Sequence, residues 1–202
     1  MKKLIISILI SIVTLLVIIV GIKIYINNTN HILVYSDVSD YEKYRSGENA
    51  DKNFKSKFAM DESIWPEKIT ESMEVKDYKM VYYNPWDAQY LGYLIVKYDN
   101  DEYLKEISRL NDYKSTEYKG YYGAEGFSKY NLVAMYADSY NGFVYALTDN
   151  QNTVIYVELI FCNYFMDIDY TEYIDGDYLP VGFDATVNNP TRKKWRLIDD
   201  ET

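Results

Sequence analysis

A single glutamate inside an apolar run is the residue of this sequence best placed for acid–base chemistry. Glu158 interrupts the segment 155–160, in which every other residue is apolar or aromatic. A carboxyl buried there has to find a partner or take up a proton, and a protonated carboxyl can act as a general acid. With Glu125 or Asp138 as second carboxylate, it would suit hydrolysis of cell-wall polymers. The structural alternative is a glutamate that pairs with a Lys, an Arg or a tyrosine hydroxyl, or that lies at an exposed edge.

Histidine and cysteine are too scarce for several common kinds of site. The sequence has one histidine, His31, and one cysteine, Cys162. One cysteine excludes an internal disulfide and a cysteine-based metal cluster. A Ser-His-Asp or Cys-His arrangement would need His31 to fold back into the domain. No cofactor is predicted.

A cluster of carboxylates towards the C-terminal end is a weak candidate for a metal site. Asp167, Asp169, Asp175 and Asp177 lie close together in the sequence, and carboxylate oxygens are the ligands that Ca²⁺ prefers. The spacing does not match an EF-hand loop, because Glu172 occupies the sixth position from Asp167, where glycine is needed. We interpret the cluster as a solvated loop, with calcium binding as the alternative.

Tyrosine is unusually abundant, with 24 residues, and some of these aromatics are candidates for a binding surface. Tyr118, Tyr121 and Tyr122 lie in a glycine-containing segment, and Trp86 lies in a predicted turn. Tyrosine offers amphipathic contact area at a low entropic cost, so a loop of this kind can bind a peptide, a protein or a glycan. The alternative is that these rings pack back onto the sheet.

The N-terminal segment predicts a membrane anchor. Residues 4–22 carry no charge, and Lys2 and Lys3 precede them. About 20 apolar residues are long enough to cross a bilayer as a helix, so residues 4–26 are predicted to be a signal-anchor. The lysines favour a cytoplasmic N-terminus and a domain outside the cytoplasm. A cleaved signal peptide is the alternative, although its apolar region would normally be shorter.

The rest of the chain is acidic. The whole sequence has 21 Lys and Arg against 31 Asp and Glu. Three of the lysines belong to the anchor segment, so the remainder has 21 − 3 = 18 basic residues and a net charge of 18 − 31 = −13. Such a domain repels phosphate backbones, and nucleic acid is therefore excluded as a partner.

The elements that must position these residues predict an α+β domain. We divide the chain into an anchor at 1–26, a tether at 27–38 and a globular domain at 39–202. Turn signals and apolar periodicity predict a mainly antiparallel sheet in the order β-β-α-β-β-β, with one packed helix. A β-sandwich or barrel with a decorating helix is the alternative. The predicted strands are 78–83, 90–98, 132–137, 143–147 and 153–162, and the last of them is expected in the centre of the sheet. Helices are predicted at 39–46 and 100–112, and the chain is expected to form loops from residue 167 onwards.

These observations favour a membrane-anchored, extracytoplasmic interaction module over an enzyme. A structural or accessory subunit of an envelope complex is the first alternative, and the carboxylate-based hydrolase is the second. The basic run 192–196 is interpreted as a terminal strand or as a segment neutralised by the acids that follow it.

Overall fold

A computed structural model describes the backbone of residues 2–29 and 31–200, and the side chains of residues 10–23 and 31–196. Helix α1 spans Lys2–Thr29. The predicted anchor, residues 4–26, falls within this helix, but the side chains of 4–9 and 24–26 lie outside the described residues. Within the described side chains, no helical segment is long and apolar enough to cross a membrane.

Six strands form one open sheet in the order β1-β2-β3-β6-β5-β4, and every neighbouring pair is antiparallel. This confirms the predicted antiparallel α+β fold, and the barrel or sandwich alternative is wrong because the described strands belong to a single open sheet. Strand β6 lies between β3 and β5, in the predicted central position. The strands are β1 Leu33–Tyr35, β2 Glu74–Tyr83, β3 Gln89–Lys97, β4 Asn131–Asp138, β5 Gly142–Thr148 and β6 Thr153–Ile160.

The first strand lies in the segment that we assigned to the tether. Residues 33–35 pair with Met80 to Tyr82 of β2. The folded part of the chain therefore begins only a few residues after α1. The helix predicted at residues 39–46 is a 3₁₀ helix at Val38–Tyr44, so residues 45 and 46 lie beyond its end.

Two further α-helices complete the fold. Helix α2 spans Asn100–Asn111, and the Asp99 carboxylate caps it by accepting the Glu102 amide at 2.9 Å. Helix α3 spans Pro190–Asp200, so the expectation of loop or strand there is wrong. Asn189 accepts the Arg192 amide at 2.9 Å, and Pro190 fits the first helical position because it has no amide hydrogen to lose.

The sheet lies between two layers of irregular structure, because the strands bury both of their faces. Alternate residues of β6 belong to two separate apolar cores, one on each face of the sheet, as its sequence pattern predicted. We call the segment 38–73 together with α2 the front layer, and the loops 118–130 and 161–185 the back layer. Glu158 is on the front side of β6, between Tyr156 and Ile160.

Candidate functional site: a buried lysine between two glutamates

Glu158 lies in the middle of the sheet and points into the front layer. It is opposite Gly92 of β3 and Val144 of β5 in the strand register. A Cβ atom on Gly92 would lie 3.2 Å from the Glu158 Cγ and 2.7 Å from the Met80 Cε. The glycine therefore leaves the space that the glutamate side chain occupies.

The front layer supplies the partner of this carboxylate. The Lys57 ammonium lies 2.7 Å from the Glu158 Oε1 and 2.5 Å from the Glu62 Oε1. The exposed fractions of the three side chains are 0% for Lys57, 1% for Glu158 and 2% for Glu62. We call these three residues the Lys57 cluster. They form a bridged ion group that is sealed from solvent.

The neighbours of the cluster are aromatic on one side and polar on the other. The rings of Phe54 and Tyr90 each have their centroid 5.7 Å from the Lys57 Nζ, within cation–π range. The Ser46 amide donates to the Glu62 Oε2 at 2.6 Å, and the Arg45 Nε lies 3.8 Å from that oxygen. Glu62 therefore has three favourable partners for its negative charge, whereas Glu158 has the lysine and a hydrogen bond with Glu62 itself.

This asymmetry gives the two carboxyls different pKa values. Burial raises the pKa of Glu158 well above its usual range, the negative charge of Glu62 raises it further, and the attraction of Lys57 does not compensate. Burial also raises the pKa of Glu62, but Lys57 and the Ser46 amide outweigh it and bring the pKa below the ordinary value. These shifts favour an ionised carboxylate on Glu62, which lies beside the lysine, and a protonated carboxyl on Glu158. This state avoids an uncompensated charge in the core.

The backbone that carries Lys57 is strained. Lys57, Phe58 and Ala59 have φ values of 34°, 57° and 58°, all in the left-handed region. Such a conformation costs about 1–2 kcal/mol per residue for L-amino acids, and strain of this kind persists only where the surroundings enforce it. The turn directs the lysine inwards, while the Phe58 side chain stays partly exposed.

Arginines hold the segment that carries Glu62. The Arg45 guanidinium donates to the carbonyls of Glu62 and Pro66, both at 2.8 Å. From α2, Arg109 donates to the carbonyls of Ser63 and Ile64, both at 2.7 Å. These contacts fix the loop from residue 62 to residue 66 over the sheet.

Asp61, the neighbour of Glu62, is held by two hydrogen bonds. Its carboxylate accepts from the Ser63 amide and from the Tyr113 hydroxyl, both at 2.9 Å. Partial burial raises the pKa of Asp61, but these bonds lower it by more, so the pKa lies below its ordinary value.

A groove on the outer surface of the front layer lies above this loop. Its volume is about 560 Å³, within the usual range for ligand pockets. A smaller cavity of about 220 Å³ shares three lining residues with it, namely Arg45, Glu67 and Lys68. The charged side chains that line the groove are three cations and two acids. Its lining includes Trp65, Pro66 and Met73, the cations Arg45, Lys68 and Arg109, and the acids Glu67 and Glu106.

The structure places Glu125 and Asp138, the proposed second carboxylates, away from Glu158. Glu125 is exposed in the back layer, where its amide donates to the Val181 carbonyl. Asp138 caps the β4–β5 turn by accepting the amides of Tyr140 and Asn141. The carboxyl that meets Glu158 is Glu62, and a polymer substrate has no access to either of them.

The predicted aromatic candidates are mostly built into the core. Tyr122 is fully buried and donates its hydroxyl to the Ser139 carbonyl at 2.6 Å. Tyr118 and Tyr121 are half-buried against the apolar core of the back layer. Trp86, in the β2–β3 turn, is 85% exposed. Among the four candidates, only Trp86 is mostly exposed.

The predicted acidic cluster is engaged in local contacts. Asp167 accepts from the Gln89 side chain at 2.7 Å, and Asp177 pairs with Lys129 at 2.5 Å. Asp169 and Asp175 each cap a short turn by accepting an amide two residues ahead. In the part of the chain that the structure describes, no group of three or more His, Cys, Asp or Glu side chains is arranged to hold a metal ion.

Sequence reasoning missed Lys57 and Glu62. Both lie in the polar stretch 48–62, which has the composition of a solvated loop. The one available signal was indirect: a carboxyl at position 158 needs a partner, and a lysine was among the partners considered. No feature of the neighbouring sequence distinguishes Lys57 from Lys52 or Lys55.

Comparison with known proteins gives no further guide to this site. No protein-family model matches the chain, and neither a curated protein nor a solved structure matches it. The geometry described above is therefore the basis for the function proposed below.

Proposed function

We propose that α1 anchors this chain in a membrane and that its folded domain, outside the cytoplasm, binds a peptide or protein partner through the groove of the front layer. The observation that carries the first half is the exposure of ten large apolar side chains between Ile10 and Ile22, each 43–66% exposed. A helix that is apolar all round normally lies in a protein core or in a bilayer.

The dimensions of α1 support the anchor. Its 28 residues span about 42 Å at 1.5 Å per residue, which exceeds a hydrocarbon core of about 30 Å. Each Leu, Ile or Val near the centre of such a helix favours insertion by about 0.3–0.6 kcal/mol. The ten exposed side chains therefore contribute about 3–6 kcal/mol in favour of the bilayer.

The charges and the position of β1 support the orientation and the location of the domain. Lys2 and Lys3 precede the apolar run, and residues 27–41 contain no Lys or Arg, which favours a cytoplasmic N-terminus. Only residues 30–32 separate α1 from β1, and three residues reach at most about 10 Å. The sheet is thus held close to the membrane surface.

The groove supports an interaction role better than the tyrosine-rich loop does. It has an apolar floor and a rim of charged side chains, which is the usual composition of a binding site. A peptide or protein segment fits it better than a glycan, because Trp65 is 2% exposed and has no free face on which a sugar ring can stack. The rim carries three cations against two acids, Glu67 and Glu106, so it slightly favours a partner with acidic or carbonyl groups.

Site-specific photo-crosslinking tests this proposal in cells that make the full chain. A photoreactive amino acid replaces Lys68 at the groove, and in a matched variant it replaces Lys129, an exposed lysine of the back layer. We expect a discrete crosslinked species from position 68 and none of the same mass from position 129. Identical products from both positions, or none from position 68, would contradict the groove as the binding face.

An accessory subunit of an envelope complex is the second candidate. The burial of the tyrosines favours it, because a closed surface suits a spacer better than a receptor. It predicts crosslinks from both positions to the same stable complex, which persists through purification. The hydrolase draws no support from the site, since Glu158 is sealed in the core.

A further inference from the structure

We propose that Lys57 and Glu158 become joined by an intramolecular isopeptide bond, with Glu62 as the group that accepts the lysine proton. This inference is independent of the proposed function. It rests on the arrangement of one amine and two carboxyls inside a dry core, where nucleophile, electrophile and base are already in contact.

The geometry brings the reacting groups together. The Lys57 Nζ is 2.7 Å from a carboxyl oxygen of Glu158, and the carbon that it would attack is one bond further. The groups are fixed by the strained turn at residues 57–59 on one side and by a central strand on the other. Groups oriented in this way react as if at concentrations of about 10⁵–10⁸ M.

The two carboxyls are suited to different roles. Burial raises the pKa of Glu158 to about 8, which favours its protonated form at neutral pH, and a neutral acid is a far better acceptor of a nucleophile than a carboxylate. Glu62 is the one that stays ionised, with its second oxygen fixed by the Ser46 amide at 2.6 Å. It lies 2.5 Å from the amine and is placed to act as a general base.

The step balances without any further reactant. The Lys57 ammonium transfers one proton to the Glu62 carboxylate, and the neutral Nζ forms a bond to the Cδ of Glu158. The C–O bond to the Glu158 hydroxyl breaks, and that hydroxyl leaves as water with the second proton of the amine. The products are a neutral amide, one water molecule and a protonated Glu62, so the core loses both of its charges.

The surroundings favour the product. A buried ion group carries a large desolvation cost, which a neutral amide does not. Once the released water has left the core, the burial of the three side chains limits the access of bulk water for the reverse hydrolysis. The bond would tie the front layer to β6 across 101 residues of sequence, in a chain whose single cysteine cannot form an internal disulfide.

Intact-mass and peptide-mapping mass spectrometry of the purified full chain in detergent test the proposal. We expect a mass lower than that of the matched Lys57→Arg chain by one water, after allowing for the substitution. The peptide that contains Lys57 should be recovered covalently joined to the peptide that contains Glu158. Recovery of the two peptides unlinked from folded protein would overturn the proposal, as would a link to Glu62.

Two controls make the mass difference specific. Asp175 precedes Gly176, and such a pair can also lose water by cyclising to a succinimide. The intact mass is therefore not sufficient, and peptide mapping has to identify the residues that lost the water. Lys129→Arg, at an exposed lysine that pairs with Asp177, should keep the link.

A substitution of the base tests the mechanism. Glu62→Gln keeps an acceptor for the Ser46 amide but removes the base, and it should leave the two peptides unlinked in protein whose circular dichroism matches that of the parent chain. A Glu62→Gln chain that still forms the link would refute the role of Glu62. If this variant does not fold, the map of the parent chain alone decides the proposal.

Discussion

Removal of the buried cation, Lys57→Met, is the perturbation with the largest expected effect on stability. It leaves Glu62 and Glu158 in the core without the ammonium that lies 2.5 and 2.7 Å from them. Breaking a buried ion pair by removing one partner costs about 3–5 kcal/mol, because a charge is left uncompensated. We expect the unpaired charge to lower the free energy of unfolding by this amount, in addition to what the loss of the isopeptide bond costs.

The informative comparison is with a variant that removes all three charges. In Lys57→Met/Glu62→Gln/Glu158→Met no charge remains to be buried, and the side-chain carbonyl introduced at position 62 still accepts the Ser46 amide. Apolar replacement of a whole buried ion group is often neutral or stabilising by about 1–4 kcal/mol. The triple variant should therefore recover most of the loss that the unpaired charge causes. Neither variant can form the isopeptide bond, so the missing bond does not contribute to their difference.

Urea unfolding of the full chain in detergent, followed by tryptophan fluorescence, measures this difference. Trp65 reports directly on the cluster, because its indole donates to the Val157 carbonyl at 3.4 Å, beside Glu158. If the free energy of unfolding falls with urea concentration at the same slope in both variants, the variants differ in stability and not in the surface exposed on unfolding. Lys129→Met, at the exposed ion pair with Asp177, should leave the free energy nearly unchanged. The reasoning fails if the single and triple variants differ by less than about 1 kcal/mol.

Three further outcomes follow from particular residues. Gly142→Ala should destabilise the fold by about 2–4 kcal/mol, because φ at this residue is +99° and the new Cβ would lie 2.1 Å from the Leu159 carbonyl oxygen. Thermal unfolding measures this loss, and Gly126→Ala is the control, because its new Cβ would have no neighbour within 4 Å. Burial raises the pKa of Cys162 to about 12, so its alkylation at pH 8 should be about 1,000-fold slower than that of a free thiol and become normal in urea. The pKa of Asp61 is lower in the folded protein than in the unfolded chain, so its contribution to stability is present above the unfolded pKa and is lost as the pH falls through the folded pKa. Asp61→Asn should therefore make the free energy of unfolding fall less steeply as the pH is lowered into the acid range. An unchanged slope in that range would refute this.

The sheet could be predicted because its sequence signals are local. The residues of β6 are apolar at nearly every position, which is typical of a strand buried on both faces. Asn141-Gly142 is a hairpin signal, and Gly142 has the positive φ that such a turn needs. Asp99 is a helix-capping residue directly before α2. The start of α3 carried a signal of the same kind, Asn189 followed by Pro190, which the run of charges after it obscured.

The Lys57 cluster could be predicted only in part, because its members are brought together by long-range contacts. Glu158 stands out because its neighbours are apolar. Lys57 does not, since its burial depends on a left-handed turn built from residues other than glycine. The tyrosines were ambiguous for a different reason: the same ring and hydroxyl suit a core with one polar contact and an exposed binding surface.

Cysteine labelling of intact cells tests most directly whether the domain is anchored outside the cytoplasm. In a Cys162→Ala background, Trp86→Cys places a thiol at a site where the native side chain is 85% exposed, and a cysteine inserted directly after Met1 places one before the apolar run with both lysines kept. We predict that a membrane-impermeant maleimide labels position 86 in intact cells and the inserted cysteine only after permeabilisation, with the chain in the membrane fraction. Labelling of position 86 only after permeabilisation, or recovery of the intact chain in the soluble fraction, would contradict the account.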